Sequence, residues 1–158
     1  MLEIEKEGLD IMLVEDNQDD IILMQRAFSQ NRIRNRVRIV RDGEEALDYI
    51  FHRGKYEDIS DCPMPGLVIL DLKLPRIDGV EVLKIIKSDK KLRTIPIIML
   101  TTSRDERDIK LCYQLGVNSY IVKPTEFDTF AGIVGEVTNY WLQLNELPDV
   151  FRKTIQTR

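Results

Sequence analysis

Carboxylate side chains follow two apolar runs of the sequence, at the point where each run ends. Glu15 and Asp16 come directly after the run 10–14, and Asp71 comes directly after the run 67–70. An unbroken run of Leu, Val and Ile is typical of a strand buried on both faces of a parallel sheet. We therefore expect these carboxylates at the carboxyl ends of strands, where open α/β sheets bind their ligands.

A hydroxyl and an amine follow two further apolar runs. Thr101 comes after the run 96–100, and Lys123 comes after the run 119–122. Because the carboxyl ends of parallel strands share one edge, we expect both to meet the carboxylates. Carboxylates held close together repel and raise one another's pKa, so they need a cation among them. Oxygen ligands without a nearby His or Cys suit Mg²⁺, and the added hydroxyl and lysine could hold a phosphoryl group.

The elements that must position these groups alternate along the chain. Strands are predicted at 10–14, 37–40, 67–71, 96–100 and 119–122, and helices at 19–28, 43–51, 79–87, 104–115 and 127–141. This alternation requires a parallel sheet with helices on both faces and right-handed crossovers. The predicted fold class is α/β, a single doubly wound five-stranded parallel sheet with five helices.

Composition narrows the functional classes. The 158 residues are 43% hydrophobic and 32% charged, which fits one globular domain. A net charge of -4 argues against a nucleic-acid partner. Cys62 and Cys112 lack a paired or metal-binding spacing, which favours a reducing compartment. No signal peptide or apolar run of membrane-spanning length is recognisable, so we expect a cytoplasmic protein with no membrane partner.

The order of these motifs resembles the receiver domain of two-component response regulators. The similarity covers about residues 10–144 and rests on the acidic pair, Asp71, the following Leu-Pro-x-x-Asp-Gly, Thr101 and Lys123-Pro124. Each motif is weak alone, but their combination in this order is specific. The resemblance implies a flavodoxin-like strand order 2-1-3-4-5. It divides the chain into an extension at 1–9, a receiver domain at 10–144 and a tail at 145–158.

The resemblance also implies how the site works. Asp71 would accept a phosphoryl group from a partner histidine kinase, as a signalling protein rather than an enzyme. Lys123 would pair with the phosphoryl oxygens and Thr101 would hydrogen-bond the group. Tyr120 would turn inward as Thr101 moves. The peptide bond between Lys123 and Pro124 is cis in the family.

A metal site belongs to the same implied machinery. Asp16 would bind Mg²⁺ directly, and Glu15 would hold it through water. Asp71 and the backbone carbonyl of Lys73 would supply two more ligands. With no output domain recognisable, the signal would pass to an unknown downstream protein or onward by phosphotransfer.

Two features depart from the usual family pattern. Thr102 stands where the family usually has a smaller residue, which predicts narrower access to Asp71. The connection 52–65, with His52 as a loop residue, is longer than the family minimum, and such a length is typical of a mobile loop. With Phe51-His-Arg-Gly54 and Pro63-x-Pro-Gly66, this connection resembles the single-domain regulators that serve phytochrome-type histidine kinases.

Two alternative hypotheses come from other functional classes. Aspartyl-nucleophile phosphatases of the haloacid dehalogenase type place a second Asp two residues after the nucleophile, where this chain has Lys73. A flavin-binding module needs a phosphate loop rich in Ser, Thr or Gly after the first strand, where Glu15-Asp16-Asn17 would repel phosphate. The phosphatase is the alternative that remains, although Lys73 disfavours it.

The last predicted helix has apolar residues on more than one face. The stripe predicted to face the sheet is Phe127, Phe130, Ala131, Val134, Val137 and Trp141. Ile133, Tyr140, Leu144, Leu147 and Val150 lie off this stripe and could remain exposed. A second subunit could cover them, giving a homodimer through the last helix, as in the phytochrome-linked subgroup. The alternative is a tail that folds back on its own domain or is disordered.

Overall fold

The computed structural model describes residues 8–58, 62–148 and 151. The elements in chain order are β1 Ile11–Val14, α1 Gln18–Gln30, β2 Val37–Val40, α2 Gly43–Phe51, β3 Leu67–Leu70, α3 Gly79–Ser88, β4 Ile97–Thr101, α4 Glu106–Gln114, β5 Ser119–Val122 and α5 Phe127–Asn139. A 3₁₀ turn at Gly54–Tyr56 follows α2, and a π-helical segment at Tyr140–Leu144 extends α5.

All strand pairs are parallel, and the sheet order is β2-β1-β3-β4-β5. This confirms the predicted fold and its strand order. Every residue of β1, β3 and β4 is buried, whereas β5 at one edge is half-buried throughout. The unbroken apolar runs therefore belong to the strands that helices cover on both faces.

Asn and Asp side chains begin the helices near the carboxyl edge of the sheet. Asn17, Asp42, Asp78 and Asp105 cap α1, α2, α3 and α4, each accepting a hydrogen bond from a backbone N–H of the first turn. Such caps stabilise a helix by about 1 kcal/mol each and set the residue at which it begins. The loops that precede these four helices are therefore held at both ends, whereas Glu126 at the start of α5 makes no side-chain capping hydrogen bond.

The long connection after α2 is anchored to that helix rather than free. His52, expected in a loop, is the C-cap of α2 with a left-handed φ of 53°, and its Nε2 lies 2.9 Å from the carbonyl oxygen of Cys62. The hydroxyl of Tyr49 donates to the carbonyl of Pro63 at 3.0 Å, and Tyr56 is buried edge-on against Tyr49. Positions 59–61 lie outside the described residues.

The buried face of α5 differs from the predicted stripe near its end. Phe130, Ala131 and Val134 are buried as predicted, but Thr138 and Leu142 are buried in addition. Phe127, Val137 and Trp141 pack on the core while remaining half-buried. The buried residues Val134, Thr138 and Leu142 are four positions apart. This spacing continues into the π-helical segment, so that Leu142 faces inward rather than Trp141.

Some of the remaining apolar residues are exposed and others are not. Tyr140 is 50% exposed and Leu144 is 67% exposed, whereas Ile133 is half-buried. In the tail, Leu147 packs against the core and Phe151 is buried, while Val150 lies outside the described residues. Among the residues described, no helix combines the length and apolar character needed to cross a bilayer.

Candidate functional site

The register of the sheet brings the predicted groups to one edge. Val14 pairs with Leu70, and the amide of Asp71 donates to the carbonyl of Val14 at 3.1 Å. On the other side, the amide of Lys123 donates to the carbonyl of Thr101 at 2.7 Å. The ladder hydrogen bonds therefore continue one residue past the strands and hold the functional residues level with one another.

Three carboxylates meet at this edge. Glu15, Asp16 and Asp71 each offer an oxygen, and these oxygens all lie within 4.8 Å of one another. Glu15 is buried, Asp71 is half-buried and Asp16 is exposed. A half-open set of carboxylate oxygens suits a hard divalent ion that keeps some of its waters, so the residues present fit Mg²⁺.

Lys123 reaches across the edge into the acidic cluster. Its Nζ lies 2.7 Å from Oε2 of Glu15 and 3.4 Å from Oδ2 of Asp71. It also lies 3.4 Å from Oδ2 of Asp20, a residue that the sequence pattern did not single out. Asp20 lies in the first turn of α1, directly after the acidic pair, and that position beside the carboxyl end of β1 was the signal available for placing it here.

Burial dominates the electrostatics of the cluster. Burial raises the pKa of Glu15 to about 7, with a further rise from the charge of Asp71, although the hydrogen bond from Lys123 lowers it. Burial opposes the charged form of Lys123, but the hydrogen bond to Glu15 and the charge of Asp71 raise its pKa above the ordinary value. The lysine therefore stays protonated and offsets part of the carboxylate repulsion.

Thr101 and Tyr120 lie on neighbouring strands beside this cluster. Thr101 is only 2% exposed, and its Oγ1 accepts from the amide of Ser103 at 3.4 Å. The hydroxyl of half-buried Tyr120 donates to the carbonyl of Ser103 at 2.9 Å. Ser103 also donates to Asp108 in α4 at 2.6 Å. The β4–α4 loop thus connects Thr101 to Tyr120 through Ser103.

The loop after β3 places Lys73 two residues beyond Asp71, with an exposed side chain. Gly79 closes this loop, because its amide donates to the carbonyl of Leu72 at 2.8 Å. A Cβ at Gly79 would lie 2.0 Å from the carbonyl oxygen of Asp71. The glycine of the Asp-Gly pair that follows Asp71 is therefore required by the close approach of the two backbones.

The prediction of a cis peptide bond between Lys123 and Pro124 is wrong for this structure. No cis peptide bond occurs among the residues described. The trans form is the lower in free energy for most bonds that precede proline. Lys123 reaches Glu15 and Asp71 in this form, because its backbone is already held by Thr101.

A cleft of about 350 Å³ opens beside Lys123, between Asp20, Leu23 and the start of α5. Exposed Thr102 lines this cleft. The cleft lies directly beside the cluster, because Asp20 and Lys123 belong to both. Narrower access caused by Thr102 stays a prediction.

Comparison with known proteins identifies the family. The family model described as the response regulator receiver domain matches residues 11–134. The chain is 42% identical to the probable methanogenesis regulatory protein FilR2 of Methanothrix harundinacea over 87% of this chain and 86% of that protein. It is 38% identical to the response regulator Rcp1 of Synechocystis sp. over 87% of this chain and 92% of Rcp1.

Solved structures agree with this match. The phosphorylated cyanobacterial phytochrome response regulator RcpA has a TM-score of 0.82 and 42% identity, over 89% of this chain and 99% of RcpA. The Mn²⁺-bound form of Rcp1 has a TM-score of 0.81 and 37% identity, over 89% of this chain and 99% of Rcp1. With its sheet order, acidic cluster and lysine in the arrangement described above, the chain belongs to the response regulator receiver domain family.

Proposed function

We propose that this chain works as a single-domain response regulator whose phosphoacceptor is Asp71. The observation that carries the proposal is the position of Asp71 at the carboxyl end of the central strand β3. Glu15 and Asp16 lie on one side of it and Lys123 on the other. The receiver family transfers phosphoryl groups for signalling, which favours this function over an aspartyl-nucleophile phosphatase. Lys73, where such phosphatases carry a second Asp, supports the same choice.

In the proposed reaction, a carboxylate oxygen of Asp71 attacks the phosphorus of a phosphohistidine on the partner kinase. A phosphorus–oxygen bond forms, the phosphorus–nitrogen bond breaks, and the released imidazole takes up a proton. Asp16, Asp71 and the carbonyl of Lys73 would hold Mg²⁺ directly, and Glu15 would hold it through water. The ion would supply positive charge to the phosphoryl oxygens. Lys123 already lies 3.4 Å from Asp71 and is placed to pair with the same oxygens.

We propose that the phosphoryl group acts on the rest of the protein through Thr101. A hydrogen bond from Thr101 to the phosphoryl group would change the β4–α4 loop, which Tyr120 contacts at the carbonyl of Ser103. Packed elements of this kind switch between discrete arrangements rather than deforming continuously. The altered surface would be read by a downstream protein, or the phosphoryl group would pass onward.

The partner that supplies the phosphoryl group is proposed to be a phytochrome-type histidine kinase. Support comes from the structural neighbours, among them RcpA and a bacteriophytochrome response regulator that shares 41% identity with this chain. We also propose that the chain acts in the cytoplasm, as a signalling protein whose own chemistry is limited to slow loss of the phosphoryl group.

The experiment is phosphorylation by a small acyl phosphate with Mg²⁺, read as intact mass. The wild-type chain should gain one phosphoryl group, and Asp71→Asn should gain none. Asp128→Asn, a carboxylate on the exposed first turn of α5, is the matched control and should behave as wild type. Retention of the added mass in Asp71→Asn would refute the assignment of the phosphoacceptor.

A homodimer through the end of α5 is a second part of the proposal. Tyr140 and Leu144 expose apolar surface there, and the ring of Tyr140 packs edge-to-face against the ring of Trp141, with 5.1 Å between the ring centroids. Truncation after Asn145 would also remove buried Phe151, so the sharper variant is Tyr140→Ser with Leu144→Ser in the full chain. Sedimentation should show a dimer for wild type and a monomer for the variant. A wild-type chain that stays monomeric at high concentration, with and without phosphorylation, removes the dimer.

A further inference from the structure

The β3–α3 loop carries the Lys73 carbonyl that the proposed function assigns to the metal. Its inner end is closed by Gly79, as described above. Its outer face lies against the first turn of α2, a segment that contributes no ligand to the site. We propose that this first turn, residues 42–45 with its N-cap, positions the β3–α3 loop for metal binding from outside the site. The inference rests on the proposed function, because it assumes that the loop binds Mg²⁺.

The closest contact is between two backbones. A Cβ at Gly43 would lie 1.9 Å from the carbonyl oxygen of Ile77 and 2.9 Å from a methyl carbon of Val82. Real Cβ atoms do not approach other atoms below 3.0 Å. Any side chain at position 43 would therefore force the loop and the helix apart. Only glycine permits the helix to support the loop at this distance.

A second contact is electrostatic and lies on the surface. Arg76, in the loop, has a left-handed φ of 65°, which L-residues other than Asn and Asp rarely adopt. Its guanidinium lies 2.8 Å from Glu44 and 3.9 Å from Asp42. Asp42 is also the N-cap of α2. The ion pairs thus link Arg76, the loop residue with the left-handed backbone, to the N-terminal end of α2.

The first turn of α2 is held in place from its other side. The hydroxyl of Tyr56 donates to Glu45 at 2.8 Å, and the amine of Lys55 lies 2.9 Å from the same oxygen. Both residues belong to the 3₁₀ turn that opens the long connection after α2. This gives the connection a function: it supports the helix end that supports the metal-binding loop.

The main test compares two glycine substitutions. Gly43→Ala should weaken Mg²⁺ binding by about tenfold or more, as loss of a supporting partner does at other metal sites. Gly132→Ala, where a Cβ would meet no atom within 4 Å, is the matched control and should bind Mg²⁺ as wild type does. Binding is followed by amide chemical shifts during a MgCl₂ titration. In chelator, Gly43→Ala should also shift the amides of Lys73 and Ile77, a readout that a purely global loss of stability does not produce.

A second pair of variants keeps the inference testable if Gly43→Ala fails to fold. Arg76→Gly allows the left-handed backbone but removes the guanidinium, and Glu44→Gln removes its partner. Each should weaken Mg²⁺ binding by about two- to fivefold, the range expected for an exposed ion pair. Because Arg76→Gly already removes the partner of Glu44, the double variant should lose no more than Arg76→Gly alone.

The two proposals fail in different ways. Wild-type chain that binds no Mg²⁺ would overturn the proposed function and the inference together. Wild type that binds Mg²⁺, with a folded Gly43→Ala that binds it equally well, would overturn the inference alone. If Gly43→Ala does not fold, unchanged binding in Arg76→Gly and Glu44→Gln overturns it.

Discussion

The side-chain amine of Lys123 lies 2.7 Å from Oε2 of Glu15, across 108 positions of sequence. Both side chains are nearly buried, with 12% and 5% of their surfaces exposed. A buried ion pair costs desolvation energy, and removing one partner leaves the other charge uncompensated. The acidic edge of the sheet therefore depends on this lysine even before any phosphoryl group arrives.

Lys123→Met should destabilise the fold in the presence of chelator. Loss of one partner of a buried ion pair costs about 3–5 kcal/mol, and here Glu15, Asp20 and Asp71 all lose a neighbour. Urea denaturation in chelator measures the change. Lys84→Met, on the exposed face of α3, is the control and should match wild type. An unchanged midpoint for Lys123→Met would show that the carboxylates do not need the amine.

Asp16→Asn should act in the opposite direction. Asp16 lies within 4.8 Å of the other two carboxylates and is exposed, so its charge adds repulsion without burial. Removing that charge should stabilise the chain by about 1 kcal/mol in chelator, the interaction of two charges at this distance near water. Thermal melting should show a higher Tm in chelator, and a Mg²⁺ titration should show weaker binding. Unchanged Mg²⁺ affinity would remove Asp16 from the proposed ligand set.

Thr101→Ala should separate phosphorylation from its effect on Tyr120. The variant keeps Asp71 and Lys123, so it should still gain the phosphoryl mass. It loses the hydroxyl that lies 3.4 Å from the amide of Ser103, and with it the connection to Tyr120. Amide shifts around Tyr120 on phosphorylation should be smaller than in wild type. Thr129→Ala, exposed on α5, is the control. Wild-type shifts in Thr101→Ala would contradict the coupling.

Lys87 should make the stability of the chain depend on pH in the alkaline range. Burial lowers the pKa of Lys87 from 10.5 to about 8 in the folded state. Between these values the unfolded chain binds more protons, so the free energy of unfolding should rise with pH. The rise should be about 1–3 kcal/mol, because one pKa unit corresponds to about 1.4 kcal/mol and solvent screens a partly exposed group.

The matched variant for this test is Lys87→Met, compared with wild type by urea denaturation from pH 7.5 to pH 10.5. In wild type the amine of Lys87 donates to the carbonyls of Arg93 and Ile95 and to the side-chain oxygen of Asn118. The variant loses these hydrogen bonds, so it should be less stable at every pH. The difference from wild type should widen as pH rises. A difference that stays constant across this range would show that Lys87 does not titrate there.

Local pattern was enough to predict the fold class and the strand ends at which the candidate site residues stand. Strands β2 and β5 and helix α2 have the predicted bounds. Their buried faces require apolar residues at regular spacings, and these spacings are visible in the sequence. The same patterns placed Asp71, Thr101 and Lys123 at strand ends. The carboxyl ends of parallel strands lie on the same side of the sheet, so we expected these groups to converge from the parallel direction of the strands. The strand order 2-1-3-4-5 was implied by the family resemblance.

Contacts between distant segments were decided by the tertiary structure. Asp20 reaches Lys123 across 103 positions, and Gly43 lies against Ile77 of another loop. Neither pairing leaves a periodic signal, because it depends on how two separately formed elements are docked. The anchoring of the long connection by Tyr49 and Tyr56 is of the same kind. The sequence shows a tyrosine but does not show whether its ring packs in the core or against a loop.

The sequence by itself thus determined which chemical groups stand at the ends of which strands, because strand burial and residue type are local properties. The tertiary structure alone decided the contact of Asp20 with Lys123, the close approach of Gly43 to Ile77 and the inward turn of Leu142. These features depend on free-energy differences of a few kcal/mol between alternative packings. Such differences arise only when the helices are docked on the sheet, so no stretch of sequence contains them separately.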